Sequence, residues 1–407
     1  MFLILQNYRF RLFWVSNLFY DAGRMVIPMA VGWLVLILTD SPLWVGISAG
    51  ASGLGLTLFS PIAGVLVDRY GRRDLLLATL VAEMTCALLM GFLVHTSNIS
   101  VVYVLLFAFI MGITGATRYS CVSALTLDLV GHLNLLKGVA ANFFSMTVMG
   151  VVAPVILGWI IRSQGIPYAY YFIAGTSLVS LVVLMNLRGI KAPEKEASSH
   201  VEDLVEGAKF VFNNPIVRML ILAMLVSETF GWAVESMLPV IARDELSLGP
   251  EGLGYLMSAG AFGAVIPSII ISVVPDIKSK GILMFTGLVC FGSGLVLFAL
   301  SKQLYISLVF IAFTMGSGTV YESALSTLLQ TSVPNNMRGR VLSFQTFCWG
   351  FSGMAGFHAG AVAALFGAPL AVAAGGVVVL LNGLRIGKNL ILLTMDSQRS
   401  VSSRLDS

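Results

Sequence analysis

Apolar stretches of the length that crosses a bilayer, roughly 20 residues each, recur along the whole chain between short polar breaks. They fall at 12–38, 43–67, 74–95, 100–121, 138–161, 168–188, 215–240, 252–274, 281–300, 303–324, 341–367 and 370–390, which predicts twelve transmembrane helices. Helices fit this pattern because each satisfies its own backbone groups in lipid, whereas a membrane barrel would alternate over segments of about ten residues. The first stretch follows Tyr8-Arg9-Phe10-Arg11 without a small-residue cleavage site, so it reads as a retained helix rather than a cleaved signal. The fold class expected is an all-α polytopic membrane protein with two six-helix, pseudo-symmetric bundles.

The longest polar break sets the domain organisation. Residues 1–188 form the expected N-terminal bundle, 189–214 a cytoplasmic linker, and 215–407 the C-terminal bundle with a short tail. The linker begins with Lys191-Ala-Pro-Glu-Lys, and then Val201, Leu204, Val205, Ala208 and Phe212 recur at helical spacing among Glu202, Asp203, Glu206 and Lys209. That pattern predicts an amphipathic helix on the inner membrane surface or bracing the two halves. A faint repeat accompanies the division: Gly115–Asn142 can be laid on Gly316–Ser343, mostly by hydropathy.

Composition supports this class: 57% of the residues are hydrophobic and 11% charged, against about 25% charged in a typical soluble domain. Mean hydropathy is +0.91. The formal charge of +4 is a topology signal rather than a nucleic-acid footprint, because nearly all Lys and Arg fall on one side of the predicted helices, with only Arg162, Arg243 and Lys302 on the other. By the positive-inside rule both termini are cytoplasmic. Compact loops favour a bacterial inner membrane, and contact with anionic lipid is consistent with the charge.

The densest charge cluster of the first hundred residues lies between the second and third stretches, as Gly64-x-x-x-Asp68-Arg69-x-Gly71-Arg72-Arg73. Its glycines permit close helix approach and a tight turn, Asp68 has the chemistry of a cap or of a partner to an arginine such as Arg118, and Arg72-Arg73 suit the inner surface. This segment resembles the signature loop of the major facilitator superfamily. Leu38-Thr39-Asp40-Ser41-Pro42-Leu43-Trp44-Val45-Gly46 and Arg338-Gly339-Arg340-Val341 resemble its branch of drug and siderophore exporters. Gly150, Pro154 and Gly158 in the fifth helix resemble the glycine-proline element of superfamily antiporters, with Ala153 in place of the expected glycine. The resemblance implies alternating access, a monomeric transporter and secondary active efflux.

Ionisable groups inside hydrocarbon are costly, so those within spans are functional candidates. Asp21, Glu228 and Glu235 are the proton-coupling candidates; Asn17, Arg24, Asn142, Trp232, Gln345 and His358 are candidates for the substrate cavity. Asp21 and Arg24, three apart, share a helix face as a potential ion pair. Glu322 is expected to pair with Arg338 or Arg340 in a conformational gate; Glu83 ranks below these. Numerous aromatic residues and sparse charge favour an amphipathic small molecule as substrate, with protons as the coupled ion. Cys86, Cys121, Cys290 and Cys348 are dispersed without metal-ligand spacing, and no phosphate-binding loop is present, so neither a metal, a cofactor, enzymatic chemistry nor ATP drive is expected. A lipid or lysolipid transporter, and a non-transporting receptor or scaffold, are the alternatives the sequence leaves open.

Overall fold

The computed structural model describes residues 2–187, 200–273 and 279–405; within this range the side chains of residues 2–3, 68, 200–205, 272–273, 335–336, 338–340, 342–344, 346–347 and 391–405 are not described. The described residues are helical throughout, without a strand. The first predicted span becomes two helices, α1 (Tyr8–Arg24) and α2 (Ile27–Thr39). Pro28 explains the break, since it has no N–H to give the Arg24 carbonyl four residues earlier. There follow α3 (Pro42–Arg69), α4 (Arg72–His95), α5 (Val101–Val130), α6 (Leu135–Gln164) and α7 (Pro167–Met185). The amphipathic segment is α8 (His200–Asn213); the preceding linker residues, 188–199, lie outside the described ones.

The seventh span is irregular. It consists of α9 (Pro215–Val226), a π-helical turn at Ser227–Gly231, α10 (Val234–Val240) and a second π turn at Ile241–Glu245. The remaining elements are α11 (Pro250–Val273), α12 (Lys280–Leu300), α13 (Leu304–Ser332), α14 (Asn335–Phe366) and α15 (Ala368–Leu405). Among the described residues, 11 segments are long and apolar enough to cross a membrane; the predicted span 341–367 falls in α14. Several helices outrun their apolar windows: α5 continues to Val130 and α13 to Ser332. Hydropathy marks where hydrocarbon ends, while backbone hydrogen bonding carries the helix on into the polar region.

The chain divides into two compact units, Met1–His200 with Leu238–Ser258, and Val201–Met237 with Ala259–Ser407. In the first unit, α1 packs on α6 and α7, α3 on α5, and α4 on α7. Phe10, Phe13, Tyr20, Leu76, Leu80, Cys121, Leu125 and Leu184 form part of its buried core. Residues 238–258 are fastened to it at several points. Pro239 occupies the space a Cβ on Gly32 would need, 2.8 Å away, and Arg243 bonds Asp40 at 2.6 Å and the Leu36 carbonyl at 3.2 Å. Arg162 bonds Glu251 at 2.7 Å, and the Trp159 indole donates to the Tyr255 hydroxyl at 3.1 Å.

Lipid tails are as apolar as leucine, so helices in a membrane associate through close packing rather than through expulsion of water. In the first unit a Cβ on Gly55 would lie 2.3 Å from the Phe109 carbonyl oxygen, and one on Gly112 would lie 2.1 Å from that of Ser52. The second unit repeats the device: a Cβ on Gly263 would lie 2.0 Å from the Ala312 oxygen, and one on Gly376 2.8 Å from the Gly292 oxygen. At these positions even a methyl group pushes two backbones apart. Gly112→Leu is therefore expected to destabilise the protein by about 1–3 kcal/mol or to prevent its folding, read as a lowered thermal midpoint in detergent. Gly175, whose Cβ would meet nothing within 4 Å, supplies the control, with Gly175→Ala leaving the midpoint essentially unchanged.

Candidate functional site

Among the described residues, each unit holds a buried cluster of ionisable side chains. In the first, the Arg118 guanidinium of α5 is only 3% exposed. Its Nη2 donates to Asn17 Oδ1 at 2.7 Å, and its plane lies over the Tyr20 ring, 3.4 Å from the centroid. Asn17 Nδ2 donates to Asn142 Oδ1 at 3.3 Å, Asn142 Nδ2 to Thr126 Oγ1 at 2.8 Å, and the Thr126 hydroxyl to the Val122 carbonyl at 2.6 Å. This donor–acceptor chain fixes the arginine and disperses the cost of burying its charge.

The neighbouring acidic groups belong to the same cluster. The Tyr20 hydroxyl donates to Glu83 Oε1 at 3.3 Å, and Thr114, whose hydroxyl donates to the Met111 carbonyl at 3.2 Å, lies beside the Glu83 carboxyl. Asp21, expected to pair with Arg24, instead accepts from Ser145 Oγ at 2.6 Å. Arg24 acts electrostatically on Tyr20 and Glu83, and its guanidinium occupies the place of a Gly115 side chain, 2.9 Å from the position of a Cβ. Asn17, Asp21, Arg24, Asn142 and Arg118 are thus brought together; Glu83 and Ser145 complete the group.

The second cluster is built on the π turn at Ser227–Gly231. A wider turn displaces side chains from the α-helical register, a feature often found at functional sites. Glu228 is 2% exposed, and Ser227 and Tyr321 are wholly buried. The carboxyl groups of Glu228 and Glu322 meet within hydrogen-bonding reach. The Tyr321 hydroxyl faces Ser227 and Glu228, while Cys348 of α14 faces Glu228. Trp232 stacks on Phe291 with ring centroids 5.3 Å apart and covers Gly318, one turn before Glu322 on α13. Gly231 admits the Phe291 ring, which would lie 2.5 Å from a Cβ there.

The remaining predicted residues occupy other positions. Glu235 is exposed, although its charge acts on Glu228 and Glu322. Gln345 is buried in α14, and His358 stacks edge-on against Phe230 at 5.1 Å. The side chains of Arg338 and Arg340 lie outside the described ones, as does that of Asp68. In the signature loop, Gly64 is half-buried in α3, Arg69 is exposed in its last turn, and Gly71 precedes α4. Arg72 pairs with Asp128 at the end of α5, and Arg73 donates to the Met185 carbonyl at the end of α7, 3.0 Å away. Gly150, Pro154 and Gly158 lie on the buried face of α6, where Gly158 and the Pro154 carbonyl closely approach Glu251 and Gly254.

Sequence reasoning missed Ser145, Ser227, Tyr321 and Asp128. Tyr321 had a signal in its adjacency to an intramembrane glutamate, and Asp128 in being an acidic residue just past the fourth apolar stretch, on a helix that outran its apolar window. Ser145 and Ser227 had none, because serines are common in membrane helices as packing residues.

The profile of the transmembrane secretion effector family matches residues 2–406. The enterobactin exporter EntS of Escherichia coli is 25% identical over 82% of this chain and 79% of its own length. EntS of Shigella boydii is 24% identical over the same shares. Among solved structures, the nucleoside transporter NupG has a TM-score of 0.75 at 11% identity, covering 96% of this chain and 99% of its own. A bacterial homologue of the human lysosomal transporter Spinster has a TM-score of 0.70 at 12% identity, covering 96% and 97%. These structures establish a major facilitator fold, and the 11 candidate spans among the described residues and the profile match agree on a multi-pass membrane transporter rather than an enzyme. The chain belongs to the transmembrane secretion effector family of the major facilitator superfamily.

Proposed function

We propose that the protein is a secondary active exporter that moves an amphipathic small molecule out of the cell by proton antiport and alternating access. The observation that carries the coupling is the meeting of Glu228 and Glu322 inside the second unit. Two ionised carboxylates have no hydrogen to share and repel each other, whereas one proton between them supplies a donor and removes half of the charge. Taking up that proton changes which environment the pair tolerates, and so shifts the balance between inward-open and outward-open states.

Export as the direction rests on the names of the relatives, both enterobactin exporters. The glycine-proline element of α6 agrees with it. In the proposed cycle the six-helix halves, 1–188 and 215–407, exchange access around the linker at 189–214. The protein acts as a monomer in a bacterial inner membrane, with lipid around its apolar faces and both termini cytoplasmic.

Flux into proteoliposomes under an imposed pH gradient tests the coupling, with dyes and siderophores as candidate cargo. Glu228→Gln and Glu322→Gln are each expected to abolish gradient-driven accumulation, a loss of at least tenfold, while gradient-independent exchange continues. Glu235→Gln, at an exposed position, is expected to retain most of it. Accumulation that survives in both buried-pair variants would remove the pair from the mechanism.

Topology is checked separately in a cysteine-free background. Ser97→Cys and Ser247→Cys, at exposed positions, should react with a membrane-impermeant maleimide added to intact cells. Leu133→Cys, at a position 98% exposed, should react only after the membrane is opened. The opposite labelling would reverse the proposed orientation.

A further inference from the structure

The segment 38–46, set apart in the sequence by its Leu-Thr-Asp-Ser-Pro pattern, takes no part in either buried cluster. It closes α2 and opens α3. Asp40 ends α2 in the left-handed conformation, at φ 50° and ψ 33°, and its N–H bonds the Leu36 carbonyl. Aspartate enters that conformation more readily than most side chains do, and Pro42 then starts α3. The turn therefore sets a carboxylate beside the last carbonyls of a helix, where a cation is favoured.

Arg243, on the second π turn, is that cation. It donates from Nη2 to Asp40 at 2.6 Å, from Nη1 to the Leu36 carbonyl at 3.2 Å and from Nε to Asp244 at 2.5 Å. Pro239, four residues earlier, meets Val45 of the same 38–46 segment around Gly32: the two side chains lie 2.8 and 3.7 Å from the position of a Cβ there. A second ion pair, Arg162 with Glu251 at 2.7 Å, holds the later part of the stretch.

Two properties mark these as contacts that break during work. Leu238–Ser258 groups with the first unit by its contacts, yet the chain runs on at both ends into the second, through Met237 and Ala259. The ties are also charged and partly solvated: the Asp40 side chain is 83% exposed and that of Arg162 56%. An exposed ion pair changes an equilibrium by a factor of about five at most, enough to bias two states and too little to lock one.

We propose that the 38–46 segment is the socket of a latch, in which Arg243 docked on Asp40 and the Leu36 carbonyl holds Leu238–Ser258 against the first unit and keeps that side of the protein closed. In the orientation proposed above this is the outer side. Arg243 and Asp40 are thus positioning residues that set the balance between the two access states, and the assignment rests on the alternating-access reading.

The test is the rate at which a maleimide labels Val45→Cys in the full-length, otherwise cysteine-free protein purified in detergent. Val45 is buried against the stretch that the latch holds, so labelling follows the population of the open state. Arg243→Gln and Asp40→Asn are each expected to raise the rate about threefold, and Arg243→Gln combined with Glu251→Gln about tenfold. Arg243→Lys, which keeps the charge beside Asp40, should stay within about twofold of the unsubstituted latch. Raising the ionic strength should speed labelling while Arg243 is present and have little effect in Arg243→Gln, because exposed pairs are screened by salt.

Leu125→Cys, in the buried core of the first unit, is the control for general loosening, and its labelling should stay slow in every variant. Val45→Cys labelling that ignores both ties, or that rises only together with Leu125→Cys labelling, would overturn the latch. The salt dependence with Arg243 in place tests it even if a variant does not fold. Latch-dependent shielding in a protein without flux would remove the alternating-access reading and keep the clamp. Flux with shielding indifferent to both ties would do the reverse.

Discussion

The cost of placing an ionisable group in hydrocarbon governs this molecule. A charge there must be paired, hydrogen-bonded or neutralised by a proton. The two clusters meet that demand in different ways. Around Arg118, amides, a hydroxyl and an aromatic face surround the guanidinium, and the donor–acceptor chain from Arg118 through Asn17 and Asn142 ends on a backbone carbonyl. Around Glu228, the nearest charged neighbours are themselves acidic and several polar atoms are left open. Arg118 Nη1 is left open too, so the difference lies in the charges: the first cluster mixes arginines with carboxyl groups, whereas the second, among the described residues, gathers carboxyl groups.

Close backbone packing makes such precision possible. Where glycines bring α3 against α5, or α11 against α13, the helices cannot slide without carbonyl oxygens meeting Cα atoms. Side chains borne on those helices are held accordingly: Arg118 lies on α5, and Tyr321 and Glu322 on α13. The two π turns are the counterpart. They interrupt the regularity of the seventh span where Glu228 must be presented and again near Arg243, which joins Asp40 and Asp244. The irregular backbone is confined to a span whose neighbours cover it, as a membrane interior requires.

Much of the fold could be read from the sequence, because hydropathy reports directly on the length and number of crossings. The break between α1 and α2 was not read, although Pro28 explains it locally. The sites were less legible. Asp21 and Arg24 share a helix face, which made an ion pair the economical reading, yet Ser145 on α6 takes the carboxylate and Gly115 on α5 receives the guanidinium. Glu322 looked close to the end of an apolar window. Its helix runs on to Ser332, which places the carboxyl deeper than the window implied and beside Glu228. Periodicity gives the face of one helix; which neighbour meets that face is a tertiary fact.

The central claim is that Glu228 and Glu322 hold a single proton between them. Infrared difference spectroscopy of the purified protein on acidification reads this directly, since a protonated carboxyl has its own carbonyl stretch. One such band is expected in the wild type, lost or displaced in both Glu228→Gln and Glu322→Gln and retained in Glu235→Gln. A band unaffected by either buried-pair substitution would place the proton elsewhere and contradict the account.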